Sequence, residues 1–85
     1  MSLPFDSVQT GFPFFLIEGE NKKGNLFQVS IQRRTPKAVM AQVVEVLQGP
    51  PGCKSHLILV SRTAVEQGGM RFFRSQTKAQ AEFAK

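Results

Sequence analysis

The chain places one cysteine and one histidine three residues apart, at Cys53 and His56. A thiol and an imidazole can bind a metal ion together or form a nucleophilic pair. A structural zinc site needs four ligands, however, and the sequence holds no further Cys or His. An odd separation on a strand also directs two side chains to opposite faces. We therefore interpret Cys53 as a loop cysteine and His56 as a strand-edge histidine.

The other residues with catalytic potential show no grouping. The six Asp and Glu residues are scattered along the chain, and no pair is spaced as a general acid and base. The sequence has no phosphate-binding glycine loop of known spacing and no Gly-x-Ser-x-Gly motif. We expect a protein that is not an enzyme and that has no metal and no cofactor.

A basic and aromatic segment near the carboxyl end is the most suggestive feature. On a strand from Met70 to Arg74, Arg71 and Phe73 would share a face, and Lys78 follows closely. An aromatic surface edged with arginine can stack the bases of single-stranded nucleic acid. Three other interpretations compete: a second helix covers this face, a homodimer buries it sheet to sheet, or a protein partner covers it.

The charge distribution is uneven. The net charge is +5, and residues 54–85 carry six Lys and Arg against two Asp and Glu. A basic half is compatible with DNA, RNA or an acidic partner, and equally with a solvated basic surface. Arg33 and Arg34 precede a predicted helix, where they either contact phosphate or form a solvated turn.

Length and composition favour one small cytoplasmic domain. Eighty-five residues are enough for a single domain over 1–85. A lone cysteine excludes an intrachain disulfide. The absence of a signal peptide and of a long apolar run favours the cytoplasm and argues against membrane insertion.

The pattern of apolar and turn-forming residues predicts an α+β domain of order ββαββα. We expect an irregular amino-terminal arm over 1–11 and a mainly antiparallel four-stranded sheet. The predicted strands cover about 14–18, 26–32, 56–61 and 70–74, and residues 76–85 form a terminal helix or a tail. The third of these runs is apolar on both faces, which is typical of a central strand.

The main helix is predicted over about 36–48, packed on one face of the sheet. Thr35 is a good N-cap, and Pro36 suits the first helical position. A stripe at helical spacing follows, and Gly49 ends it. The members of that stripe are Val39, Met40, Val43, Val44 and Leu47.

Two Phe-Phe pairs, Phe14-Phe15 and Phe72-Phe73, should each place one ring on either face of the sheet. We expect Phe15 and Phe72 under the main helix, which leaves Phe14 and Phe73 on the other face. This predicts a protein-interaction or assembly module that forms a homodimer through its second apolar face. The alternative is a nucleic-acid-binding module of low sequence specificity. The predicted contact residues are Phe14, Arg33, Arg34, Arg71, Phe73, Arg74 and Lys78.

Overall fold

The structure, a computed structural model, describes residues 3–19, 24–49 and 57–84. The chain begins with a 3₁₀ turn at Phe5–Ser7. In the described residues, five strands and two helices follow in the order β1, β2, β3, β4, α1, β5, α2. Their bounds are β1 Pro13–Glu18, β2 Asn25–Arg34, β3 Ala38–Gln48, β4 Leu57–Ser61, α1 Arg62–Glu66, β5 Met70–Phe73 and α2 Gln76–Phe83.

The five strands form one curled antiparallel sheet of order β4-β3-β2-β1-β5. The expected α+β class and antiparallel pairing are confirmed, while the sheet has five strands in place of four. The apolar run that ends at Ser61, expected to be central, is the edge strand β4. Cys53, His56, most of the loop expected over 19–25 and the Pro50-Pro51-Gly52 connection lie outside the described residues.

The helix predicted over 36–48 was wrong, because this segment is the strand β3. The hydroxyl of Thr35 does accept the amide of Ala38 at 3.0 Å, as an N-cap hydroxyl would. The Thr35 amide, however, donates to the Ala38 carbonyl at 2.8 Å, and the chain turns back on itself. The same local hydrogen bond therefore starts a hairpin here, since Ser and Thr hydroxyls cap helices and turns alike.

Irregularities in β3 explain its helix-like pattern. The register between β2 and β3 shifts at two places where β3 carries one extra residue, Val44 and Leu47. Val39, Ala41 and Val43 alternate toward the core, and after the first bulge the next core-facing residue is Val46. A bulge thus changes the period from two to three, which imitates helical spacing. β-branched valines suit this strand.

The main core fills one face of the sheet and is closed by the amino-terminal arm. Phe14 of β1 meets Phe72 of β5 edge to face, with ring centroids 6.1 Å apart. From the arm, Phe5 and Val8 insert fully into this core. The buried members of the main core are Phe5, Val8, Phe14, Leu16, Phe27, Val29, Ile31, Val39, Ala41, Val43, Val60 and Phe72.

A second core lies on the opposite face under α2. It consists of Ile17, Leu26, Phe73, Ala79 and Phe83, with Phe15 packed against it. The expected distribution of rings was therefore wrong, because Phe14 shares a face with Phe72 and Phe15 shares a face with Phe73. The antiparallel register pairs Phe15 with Phe73 directly, and paired residues lie on the same face.

Both helices begin at serine caps. The Ser61 hydroxyl accepts a hydrogen bond from the Ala64 amide at 3.1 Å, and the Ser75 hydroxyl accepts one from the Lys78 amide at 3.4 Å. The carboxyl-terminal segment is thus a docked helix, and it packs on β5, β1 and β2. The described residues contain no helix with the length and apolar character that crossing a bilayer requires.

Candidate partner interface

Two of the predicted contact residues are inside the protein. Phe14 is fully buried in the main core and Phe73 is 2% exposed in the second core. Neither ring is available to stack on a base or to meet a protein partner in this structure. The second face beside β5 is covered by α2, which was one of the alternatives considered from the sequence.

Arg71 holds α2 against the sheet. Its guanidinium lies 3.2 Å from the Glu82 carboxylate, and both side chains are largely buried. Desolvation strengthens such a pair relative to one at the surface. Arg71 is therefore placed to stabilise the position of α2, and its Phe73 neighbour faces the same helix.

Arg34 and Arg62 both contact the amino-terminal arm. The Asp6 carboxylate accepts hydrogen bonds from Arg62 at 2.8 Å and from Arg34 at 3.3 Å. The two guanidinium groups also lie 4.6 and 5.3 Å from the centre of the Phe5 ring. The Arg62 hydrogen bond and charge hold the pKa of Asp6 below its ordinary value, and Arg34 adds to this.

The opposite part of the second face, formed by β3 and β4, lies beyond the sheet strands on which α2 packs. Here Leu57 is 57% exposed and Leu59 is 65% exposed. Met40 pairs with Leu59 in the register between β3 and β4. We call these three residues, with Arg33 at their border, the β4 patch.

Arg33 and Met40 separate two shallow depressions in the β4 patch. The depression toward Leu57 has a volume of about 510 Å³, and that toward Leu59 has a volume of about 200 Å³. Arg33 itself is exposed. The side chains of Arg33 and Arg34 lie on opposite faces of the sheet, because neighbouring residues on a strand point to opposite faces.

The backbone of β4 is paired on one side within the described residues. The Arg62 amide donates to the Lys37 carbonyl at 2.7 Å, and the pairing continues along β3. Because backbone polar groups alternate along a strand, those of Leu57, Leu59 and Ser61 point away from β3. They form the outer edge of the sheet.

Arg74 and Lys78 lie at the other side of the molecule, after β5. Both side chains are exposed. The guanidinium of Arg74 is 5.9 Å from the ring centre of Phe12 and 6.0 Å from that of Phe14. Phe12 is 52% exposed. The fold therefore groups Arg74 with an aromatic ring, Lys78 follows in the first turn of α2, and Arg33, Arg34 and Arg71 lie elsewhere.

Three exposed residues, Phe12, Leu57 and Leu59, and the half-buried Met40 were missed from the sequence. Apolar residues on both faces of a strand usually mean burial on both faces, which concealed the exposure of Leu57 and Leu59. Met40 was assigned to a helix stripe. Phe12 stands directly before Pro13, and that position at a strand entry was the available signal.

Across residues 3–19, 24–49 and 57–84, no group of three or more His, Cys, Asp or Glu side chains could hold a metal ion. No family model, curated protein or solved structure matches this chain.

Proposed function

We propose that this protein is a homotypic assembly module in which the edge strand β4 pairs with β4 of a second copy. The observation that carries the proposal is the character of this edge. Leu57–Ser61 has no charge, no proline and no register shift, and its outward side is open within the described residues. Proteins that avoid edge pairing usually place a charged residue, a proline or a bulge on the edge strand.

The other edge strand, β5, is partly covered. β5 receives a backbone hydrogen bond from the amino-terminal arm, where the Leu3 amide donates to the Phe72 carbonyl at 2.8 Å. The arm therefore occupies part of that edge. This contrast favours β4 as the edge reserved for intermolecular pairing.

The sequence of β4 is compatible with pairing to itself. In an antiparallel arrangement about a two-fold axis at Leu59, this residue meets its own copy, and Leu57 meets Ser61. These are the residues whose backbone groups point outward. The same register places Ile58 opposite Val60, so the apolar faces of both copies remain aligned.

The β4 patch adds an apolar contribution to this pairing. Leu57 and Leu59 of both copies would lie beside one another on the joined sheet and remove surface from water. Complete burial of a Leu contributes roughly 1.5–3 kcal/mol, whereas association itself costs about 4–15 kcal/mol. For so short an edge we expect a weak dimer, with a Kd of about 1–100 µM.

The test is the oligomeric state of wild type and of Leu59→Lys, measured by sedimentation velocity from about 1 to 300 µM, a range that brackets the expected Kd. A lysine on an edge strand opposes pairing because its charge would be buried beside its own copy. We expect wild type to dimerise with concentration and Leu59→Lys to remain monomeric.

The matched control is Val44→Lys. Val44 is 54% exposed on a bulge of β3, outside the segment that pairs with β4. This variant introduces the same charge at a similarly exposed valine and should dimerise like wild type. A monomeric wild type over the whole range, or equal behaviour of the two variants, would reject the proposal.

A second readout does not depend on a substitution. Hydrogen exchange of the Leu57 and Leu59 amides should slow as protein concentration rises, because pairing gives these outward amides acceptors. Dimerisation without this change would place the interface elsewhere.

A further inference from the structure

An exposed aromatic ring and an exposed guanidinium lie together at the end of the molecule where β1 begins and β5 ends, and an exposed lysine follows four residues after that arginine in α2. Phe12 is the one large aromatic side chain exposed among the described residues. It directly precedes β1, whose first residues pair with β2 on one side. A single exposed ring is common at protein surfaces, and this one is of interest because a guanidinium lies beside it.

Arg74 is held beside this ring. Its guanidinium is nearly equidistant from Phe12, at 5.9 Å, and Phe14, at 6.0 Å. Because Phe14 is fixed in the main core, it anchors one side of the guanidinium. No carboxylate of the described residues lies within ion-pair distance of Arg74. Contact through the π-face leaves guanidinium N–H groups directed to the solvent.

Lys78 adds a second cation in the first turn of α2. That turn contains no acidic residue. A cation at a helix amino terminus is unfavourable because the helix dipole is positive there, and a nearby anion would offset this cost. The first turn of a helix usually favours Asp or Glu, and α2 departs from this preference. Departures from such local rules are expected at binding surfaces.

We propose that Phe12, Arg74 and Lys78 form a binding site for single-stranded nucleic acid, separate from the β4 patch. A base stacks on the open face of Phe12, and the flanking phosphates contact Arg74 and Lys78. One aromatic ring accepts any base, because every base has a π-face. The site therefore binds a short segment with low sequence specificity, and the net charge of +5 favours the encounter.

The test is fluorescence anisotropy with a labelled oligothymidylate of about 12 nucleotides, a length that fits the site sizes of small single-strand binders. The proteins are wild type, Phe12→Ala, Arg74→Gln and Lys78→Gln. We expect each variant to bind at least about tenfold more weakly at low salt, which for Phe12→Ala is the loss of one stacked base. Each of the two charge variants should also reduce the slope of log K against log[salt] by about one.

Lys37→Gln is the matched control. Lys37 is exposed in the turn between β2 and β3, where its carbonyl accepts the Arg62 amide, and its loss removes the same charge. This variant should bind within about twofold of wild type at about 0.15 M salt if the contact is local, because an exposed charge outside the site is then largely screened. Circular dichroism of every variant tests whether the fold is retained.

Three results would overturn the inference. The first is the absence of binding by wild type at low salt. The second is an equal loss in Lys37→Gln and Lys78→Gln, which would indicate diffuse charge attraction. The third is tighter binding of a duplex of the same length than of the single strand, because stacked and paired bases are unavailable to Phe12.

Discussion

Asp6 supplies ion pairs that attach the amino-terminal arm to the rest of the fold. Its carboxylate joins Arg34 of β2 to Arg62 of α1, and Arg34 also donates to the Val8 carbonyl at 2.8 Å. The arm in turn places Phe5 and Val8 in the main core. The ion pairs are solvent-exposed and therefore weak, so the arm is held mainly by these two apolar side chains.

Asp6 should make stability depend on pH in the acidic range. Its folded-state pKa is lowered, chiefly by Arg62, so its contribution is present above the unfolded-state value and is lost as pH falls through the folded-state pKa. We expect wild type to be more stable than Asp6→Asn at neutral pH, with the difference starting to shrink below about pH 4 and vanishing only below the lowered folded-state pKa. Urea unfolding at a series of pH values measures this.

The control for Asp6→Asn is Glu45→Gln, which removes an exposed carboxylate of β3 that takes no part in the ion pairs of the arm. Added salt should reduce the Asp6 effect, because the pairs are exposed. A pH-independent difference between wild type and Asp6→Asn would contradict the proposed origin.

At the scale of the elements, α2 determines which part of the second face of the sheet is buried and which part is exposed. Its serine cap starts the helix, Ala79 and Phe83 lie four residues apart on one side, and both are buried. The contact of Arg71 with Glu82 adds a polar attachment near the same end. Helix α2 thereby removes Phe73 from the surface, while the β4 patch lies on the part of the sheet away from it.

Phe83→Ala should destabilise the fold by about 3 kcal/mol, since it removes a buried ring and leaves a cavity between α2 and the sheet. Gln80→Ala, on the exposed side of the same helix, should change stability by less than about 0.5 kcal/mol. The free energy of unfolding from urea titration separates the two. Equal effects would mean that α2 is not docked in solution.

At the scale of the whole molecule, the two proposed surfaces belong to opposite edge strands of the sheet. The order β4-β3-β2-β1-β5 puts the β4 patch at one edge and places Arg74 directly after the strand at the other. The proposed dimer would then present two copies of the Phe12 site. Linking two weak sites raises overall affinity for a long strand without new contacts.

The two interactions should respond to salt in opposite directions. Two copies of net charge +5 repel one another, so screening should strengthen the proposed dimer. The same screening should weaken nucleic-acid binding, because fewer counterions are released. Sedimentation and anisotropy at about 50 and 500 mM salt, within the range where screening changes strongly, measure both trends. A dimer that weakens with salt would indicate an ionic interface in place of the apolar edge.

Local signals in the sequence determined much of the fold. Alternation over residues 26–32 identified β2, and the terminal helix followed from Ala79 and Phe83. The α+β class and antiparallel pairing were predictable because hairpin strands alternate and helices do not. The Thr35 signal was also correctly detected as a hydroxyl accepting a nearby amide, but that bond is common to helix caps and hairpin turns.

The identity of β3 and the distribution of the rings required the tertiary structure. A valine-rich segment with two bulges becomes a strand because β2 and β4 satisfy its backbone on both sides, and the spacing of its own residues does not reveal those partners. Strand order likewise placed Phe14 with Phe72 and exposed Phe12 beside Arg74.

The amino-acid sequence by itself determined that this chain has apolar side chains for both faces of a sheet and a basic carboxyl-terminal half. Only the tertiary structure decided that α2 covers one part of the second face and that β4 stands at the edge. The physical reason is that local residues set the spacing of a strand, whereas long-range hydrogen bonds set its neighbours, and the neighbours determine which side chains meet water.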